Sequence, residues 1–293
     1  MRYGYEKRIR IFWLKLRWVS FLAAAGPFFA RAAIISVKVP APSLADSNRT
    51  IIALPTSFDS INHPRYPVIL MLHGWSGDET QWVRDAPLQY YADAYDELLV
   101  LPDGGYDGWW ADSQTRPHRN YETHIVNELL PWLEKHYHAT KSGNQRGITG
   151  LSMGGFGAVT LTLRHPDLFC AAASLSGIMD IVAHGSQWGL QSAFGNPDST
   201  LEYWKAHNPL DLIENHRGKD LPPLFLICGA EGFAFQENQI VARRLAEKGA
   251  DFLFLFPPGT HSHPFWKETI GEGLKYLNYY LDTPAGKEPT RWK

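Results

Sequence analysis

The most constraining feature of the chain is a ten-residue stretch near its middle. Residues 146–155 read Arg-Gly-Ile-Thr-Gly-Leu-Ser-Met-Gly-Gly. An apolar, strand-like run leads into Gly150-Leu151-Ser152-Met153-Gly154, and a small-residue helical pattern follows to Arg164. A G-x-S-x-G between a strand and a helix forces a sharp turn that lifts the serine hydroxyl above the sheet. Bulky side chains flanking such a serine would collide with the neighbouring strand and helix, and glycine on both sides removes them. The serine then stands at a helix N-terminus, where backbone N–H groups favour negative charge. This pattern nominates Ser152 as a nucleophile.

The surrounding sequence supplies the setting that the turn needs. Short apolar runs at Ile34–Val39, Thr50–Leu54, Val68–Leu72, Leu98–Leu101, Arg146–Gly150, Ala171–Leu175, Leu224–Cys228 and Phe252–Phe256 predict strands. Helical patterns fall at Asn127–Tyr137, Gly154–Arg164, Glu237–Lys248 and Thr269–Leu281. Continuous rather than alternating apolar runs suit strands buried on both faces. Strand and helix in alternation predict an α/β fold with a mostly parallel sheet of about eight strands and helices on both faces. Residues 33–293 read as one domain. Residues 177–221 interrupt the alternation with Gly177, Gly185, Gly189, Gly195, Pro197, Pro209 and Gly218. A connection this long is expected to form a lid-like excursion over the sheet edge, with short helical pieces near Leu201–Lys205.

Three further stretches complete a candidate site. Residues 67–77 carry an apolar strand into His73-Gly74-Trp75. Serine hydrolases need two backbone N–H groups aimed at the developing oxyanion, one from the residue after the nucleophile and one from an earlier loop. That points to Met153 and Trp75, with His73 as a structural loop residue. After the last strand, Pro258-Gly259-Thr260-His261-Ser262-His263 offers two histidines. His261 follows the tight turn and is the preferred base; His263 is the alternative. After the strand ending at Cys228, Glu231 is the first acid and would orient the imidazole; Glu237 is a weaker candidate. Trp109, Trp110 and Trp188, with Trp75 and Trp204, fall in predicted loops or the excursion. They are either walls of a substrate site or packing residues. The pairs His261/His263 and His136/His138 lack further ligands at useful spacing, so no metal and no cofactor is expected.

Together these pieces resemble the esterase D-like family of α/β-hydrolases. That family takes in S-formylglutathione hydrolases, feruloyl and acetyl-xylan esterases and mycolyltransferases. The resemblance runs from about Val37 to Leu281. It rests on Tyr66-Pro67, His73-Gly74, Asp78-Glu79, Trp82, Pro102-Asp103-Gly104-Gly105, Trp110, Asp112-Ser113, Gly150 to Gly155, Cys228-Gly229, Pro258 to His261 and Trp266. It implies an α/β-hydrolase fold, Ser152 as nucleophile, His261 as base, and Trp75 and Met153 as oxyanion donors. One position departs. Family members commonly carry aspartate where Gly232 stands here, and Glu231 lies one residue earlier. Either a shifted Glu231 or another loop acid replaces it, or the site is impaired. The expected activity is hydrolysis of small or carbohydrate-linked carboxylic esters through an acyl-serine. The alternatives are an acyltransferase of the mycolyltransferase type and a hydrolase-like binding protein.

Charge adds a statement about location. Residues 1–32 hold seven basic side chains against Glu6 alone, then the uncharged run Trp18 to Ala30, then Ala30-Arg31-Ala32. Basic segment, short apolar run and small-x-small site predict a signal peptide over 1–32, with an uncleaved anchor or a cytosolic extension as alternatives. The run of about 13 residues falls short of the roughly 20 that span a bilayer. Export implies a secreted or periplasmic protein; the alternative is cytoplasmic. Removing that segment's +6 from the chain's net −2 leaves −8 for residues 33–293. An acidic domain argues against nucleic acid as a partner, and against a membrane surface except through the N-terminal segment. Cys170 and Cys228 fall at opposite ends of adjacent parallel strands, too far apart to bridge, so two unbridged, mostly buried thiols are expected.

Overall fold

The computed structural model describes residues 33–281. The expected export segment lies outside them. Eight strands form one sheet: β1 (Ala33–Ala41), β2 (Asp46–Leu54), β3 (Val68–Leu72), β4 (Leu98–Pro102), β5 (Arg146–Leu151), β6 (Ala171–Leu175), β7 (Leu224–Ile227) and β8 (Phe252–Leu255). Their spatial order is β1-β2-β4-β3-β5-β6-β7-β8. β2 pairs antiparallel with β1 and with β4, and every other pairing is parallel. This is the expected α/β sheet, mostly parallel and covered on both faces.

Burial follows from position in the sheet. Every residue of β3 to β7 is buried, and the sequences of these strands lack polar–apolar alternation, the polar Arg146, Thr149 and Ser174 being buried with the rest. Val68, Leu70 and Leu72 face one core, which takes in much of the helix Met153–Arg164. Ile69 and Met71 face the other, under the helix His263–Tyr280. β8 is an edge strand and alternates half-buried with exposed residues.

The hairpin β1–β2 is longer than its apolar runs. Its register extends from Ala33 opposite Leu54 to Ala41 opposite Asp46, closed through a 3-10 turn at Pro42–Leu44. Ala45 completes the turn at φ 82°. The distal half, Asp46 to Arg49, is polar because part of that ribbon faces water. The helical pattern at Asn127–Tyr137 is realised as a π-helical turn, His124–Leu129, running into an α-helix, Leu130–His136. Pro131 has no N–H to give Asn127, and the widened turn accommodates that gap.

The 177–221 excursion contains short helices at Ile181–His184, Leu190–Phe194, Pro197–Lys205 and Pro209–Asn215. Asp180 caps the first through its carboxylate and Asn196 the third through its side-chain oxygen. Pieces of four to nine residues are too short to display a 3.6-residue period. The excursion is tied to the helix after Ser152: Thr160 Oγ1 donates to His207 O at 3.1 Å, and Arg164 donates to Ala206 O at 2.8 Å. Cys170 precedes β6, Cys228 follows β7, and neither is in a disulfide. No helix among the described residues is long and apolar enough to cross a membrane.

Candidate active site

The chain leaves β3, β5, β7 and β8 at one edge of the sheet, the carboxyl edge, where ligands of open α/β sheets bind. Ser152 sits between β5 and the helix Met153–Arg164 with φ 53° and ψ −116°. A side chain is held in that sparsely populated region only where its surroundings over-determine it, at a cost of about 1–3 kcal/mol. Here Ser152 N–H donates to Leu175 O at 2.9 Å, and Ser152 O accepts from Phe156 N–H at 3.0 Å. The flanking glycines are sterically required. A Cβ at Gly150 would lie 2.4 Å from the Gly154 carbonyl, and one at Gly154 would lie 2.3 Å from Leu72 O.

His261 lies on the loop after β8, with Nε2 2.9 Å from Ser152 Oγ. Its ring packs against Phe233 at 4.3 Å and edge-on to Trp266 at 5.0 Å. Its Nδ1 is buried and has no hydrogen-bond partner among the described residues. Burial alone pushes the imidazole down to about 4, with no carboxylate offsetting it.

Glu231 does not reach the imidazole. Its N–H donates to Gly259 O at 2.9 Å, and Gly232 N–H closes a turn onto Gly229 O at 2.9 Å. The first bond pins the loop after β7 to the loop after β8, the second turns the loop on itself, and Glu231 is exposed. Position 232 lies against the backbone of the loop that carries the base: a Cβ there would lie 3.4 Å from the amide nitrogen of His261. Glu237 is engaged elsewhere, accepting from Asp180 N–H at 3.1 Å and lying 3.3 Å from His184 Nε2. No carboxylate among the described residues is therefore hydrogen-bonded to His261.

The loop that carries Trp75 is held from below. Gly74 N–H donates to Gln81 Oε1 at 2.8 Å, and Ser76 N–H to Tyr106 O at 2.8 Å. His73 is a structural residue. Its Nδ1 lies 2.8 Å from Gly74 O and its Nε2 accepts from Gly104 N–H at 2.7 Å, which fits a neutral ring protonated on Nδ1. Met153 opens its helix, where first-turn N–H groups have no partner within the helix.

The cleft above Ser152 has a volume of about 190 Å³. Trp75, Trp109, Trp188, Phe233, His263 and Trp266 are among its walls. Trp109 is 1% exposed and anchored by its Nε1 to Trp188 O at 3.0 Å, so it supports the cleft floor. Trp110 is packed away from the cleft, donating to His73 O at 3.3 Å and lying over Gly104 and Gly157. Trp204 is likewise buried, bonded to Gly195 O. Both are core residues, and the loop positions that suggested substrate walls reflect buried connections. Phe233 and Gln81 line the cleft without having been singled out by motif spacing, and Trp266, part of the family resemblance, lines it too. Among the described residues no group of three or more His, Cys, Asp or Glu could hold a metal ion.

The sequence model of the family described as "Putative esterase" matches residues 41–276. The chain belongs to this esterase family. It is 29% identical over 224 residues to Esterase Rv1288 of Mycobacterium tuberculosis, covering 67% of this chain and 48% of that protein. It therefore spans about half the length of that curated relative. It is 23% identical over 225 residues to an acetyl esterase of Caldicellulosiruptor saccharolyticus, covering 73% of this chain and 84% of that protein. The structure of FphF, a fluorophosphonate-binding serine hydrolase of Staphylococcus aureus, superposes with a TM-score of 0.74 at 21% identity, covering 85% of this chain and 99% of that one. The fold of this esterase-family chain is the α/β-hydrolase fold.

Proposed function

We propose that the chain hydrolyses carboxylic esters through a covalent acyl-serine, with Ser152 as nucleophile and His261 as base. The 2.9 Å contact between Ser152 Oγ and His261 Nε2 carries the reading. The serine proton passes to Nε2 as Oγ bonds to the ester carbonyl carbon. The carbonyl electron pair moves to oxygen, held by the N–H groups of Trp75 and Met153. Collapse breaks the carbon–alkoxy bond, and the imidazolium returns its proton to the departing alcohol. Water, deprotonated by His261, then attacks the acyl-serine and frees the acid.

Among the described residues the imidazole has no hydrogen-bonded carboxylate, which supports reading the pair as a dyad. A base whose pKa lies near 4 is neutral over the physiological range but weak, while its conjugate acid readily protonates a leaving alkoxide. The small cleft suits a short acyl group, in keeping with the relative named as an acetyl esterase. The basic-then-apolar segment 1–32 supports a secreted or periplasmic location, and the charge of −8 beyond it speaks against nucleic acid.

Ser152→Ala is expected to abolish hydrolysis of 4-nitrophenyl acetate; turnover that survives the substitution refutes the assignment. The unpartnered Nδ1 of His261 favours a second reading, a binding protein that kept the pocket and lost its turnover. Binding of an ester with no serine-dependent hydrolysis would select that reading.

A further inference from the structure

His263 opens the helix His263–Tyr280 and lines the same cleft as Ser152. Its Nδ1 lies 2.7 Å from Asp85 Oδ2. Asp85 is buried, whereas the His263 side chain is 56% exposed. Trp266 stands between the two histidines, edge-on to His261 at 5.0 Å and to His263 at 5.2 Å. Among the described residues, the histidine on the serine has no carboxylate, and the histidine with a carboxylate is not on the serine.

A carboxylate at Nδ1 only accepts, so Nδ1 carries the proton. In the tautomer that carries its single proton there, Nε2 is the acceptor of the ring. Asp85 thus fixes both the orientation and the hydrogen-bonding sense of the ring. An acceptor beside a buried negative charge suits a hydroxyl donor and disfavours a carboxylate or phosphate. The same rim offers aromatic surface: Trp75 and Tyr106 are exposed and meet edge-to-face at 5.0 Å. Aromatic faces pack on the C–H faces of a saturated ring while the acceptor takes one of its hydroxyls. The support is shared, because Gln81, on the same helical turn as Asp85, holds the Gly74 N–H beside Trp75.

We propose that the Asp85–His263 pair reads the alcohol half of the ester, with His263 Nε2 accepting a hydroxyl of a sugar-like polyol and Asp85 acting as its positioning residue. This rests on the esterase reading above for its setting and moves no proton itself.

The test compares two acetate esters of similar ring size, an O-acetylated methyl glucoside and cyclohexyl acetate, which has no hydroxyl. In His263→Phe the kcat/KM ratio of the first to the second should fall about ten- to a hundred-fold, mainly through KM, because a site built for a hydroxyl loses its partner. His263→Gln, which restores an acceptor, should recover part of the ratio. Asp85→Asn should lower it several-fold, again through KM. Calorimetric binding of the acetylated glucoside to Ser152→Ala, with and without His263→Phe, reads recognition without turnover and should show the same loss. Equal losses on both esters, or binding that ignores His263, overturns the proposal whether or not either ester is hydrolysed. His263-dependent binding with no hydrolysis by the wild type would retain the recognition site and reject the esterase reading. Hydrolysis with no dependence on His263 would do the reverse.

Discussion

An imidazole bonded to a serine through Nε2 and buried without a partner at Nδ1 is an unfinished catalytic unit. In serine hydrolases the acid fixes the tautomer and stabilises the imidazolium, and its loss costs about 10⁴-fold in rate. Gly232 stands where the family resemblance places that acid, and a Cβ there would meet only backbone, 3.4 Å from the amide nitrogen of His261 and 3.2 Å from Gly229 O, with room to extend. Gly232→Asp is therefore expected to raise kcat for 4-nitrophenyl acetate by roughly ten- to a hundred-fold, less than the full loss because the graft is unrefined. The pH profile should move with it. Only the neutral imidazole accepts the serine proton, so wild-type activity should persist as pH falls and fail near His261's value of about 4. A carboxylate beside Nδ1 favours the cation, so the acid limb of the variant shifts upward. A variant no faster, with an unmoved limb, would mean that the new carboxylate does not reach Nδ1. Glu231→Gln should leave the rate within about twofold, as an exposed side chain away from the ring predicts. Ser152 and His261 were legible because each belongs to a short motif beside a recognisable strand. The family resemblance located the acid position at Gly232, but whether Glu231 could replace it was not legible, because two loops distant in sequence are pinned together by backbone bonds that no local pattern encodes.

At the scale of elements, the parallel strands announced themselves through short, mostly apolar runs without alternation, while the excursion and the outer half of the β1–β2 hairpin did not. Short helices and half-wet ribbons are specified by capping, pairing and tertiary contacts rather than by a period. The excursion's attachment illustrates this. Glu237, at the start of the helix Phe235–Lys248, accepts from Asp180 N–H and pairs with His184 at 3.3 Å. His184 in turn packs on Trp188 at 4.9 Å, which stacks on Phe233 at 5.4 Å, so the contact holds one wall of the cleft. Glu237 raises the pKa of His184, chiefly through their hydrogen bond. The charged pair is therefore fully formed below the ordinary histidine value and is lost as pH rises through the raised one. Glu237→Gln should weaken local closure by roughly 1 kcal/mol, seen as faster hydrogen exchange over residues 178–194. In the wild type, protection there should decline with rising pH once intrinsic exchange is corrected, and the variant should lose that dependence. Exchange that is identical in the two proteins would assign the attachment to packing alone.

For the whole molecule, stability is set by a sheet whose central strands are buried on both faces, and one group works against it. Glu97 immediately precedes β4, at the end of that strand opposite the catalytic edge. It is 0% exposed, and neither carboxylate oxygen has a hydrogen-bond partner among the described residues. Burial holds its pKa well above the usual 4.5. Below that ordinary value the carboxyl is protonated folded or unfolded, and pH has no leverage through it. Above it the unfolded chain releases the proton while the folded chain keeps it, so folding is penalised more as pH rises. Glu97→Met fills similar volume with no polar atom. It should stabilise the protein by about 1–3 kcal/mol at pH 8, by removing a buried polar group that lacks a partner. The gain should be smaller at pH 5. Denaturant midpoints of the two proteins at both pH values measure the gap, and an unchanged m-value would assign it to the folded state's stability rather than to a more compact unfolded chain. A gap that closes or reverses between pH 5 and pH 8 would mean that the carboxyl is ionised and solvated in the folded protein. Serine-dependent activity measured on the same samples separates the two ends of the sheet, because the substitution lies away from Ser152 and should leave kcat/KM unchanged.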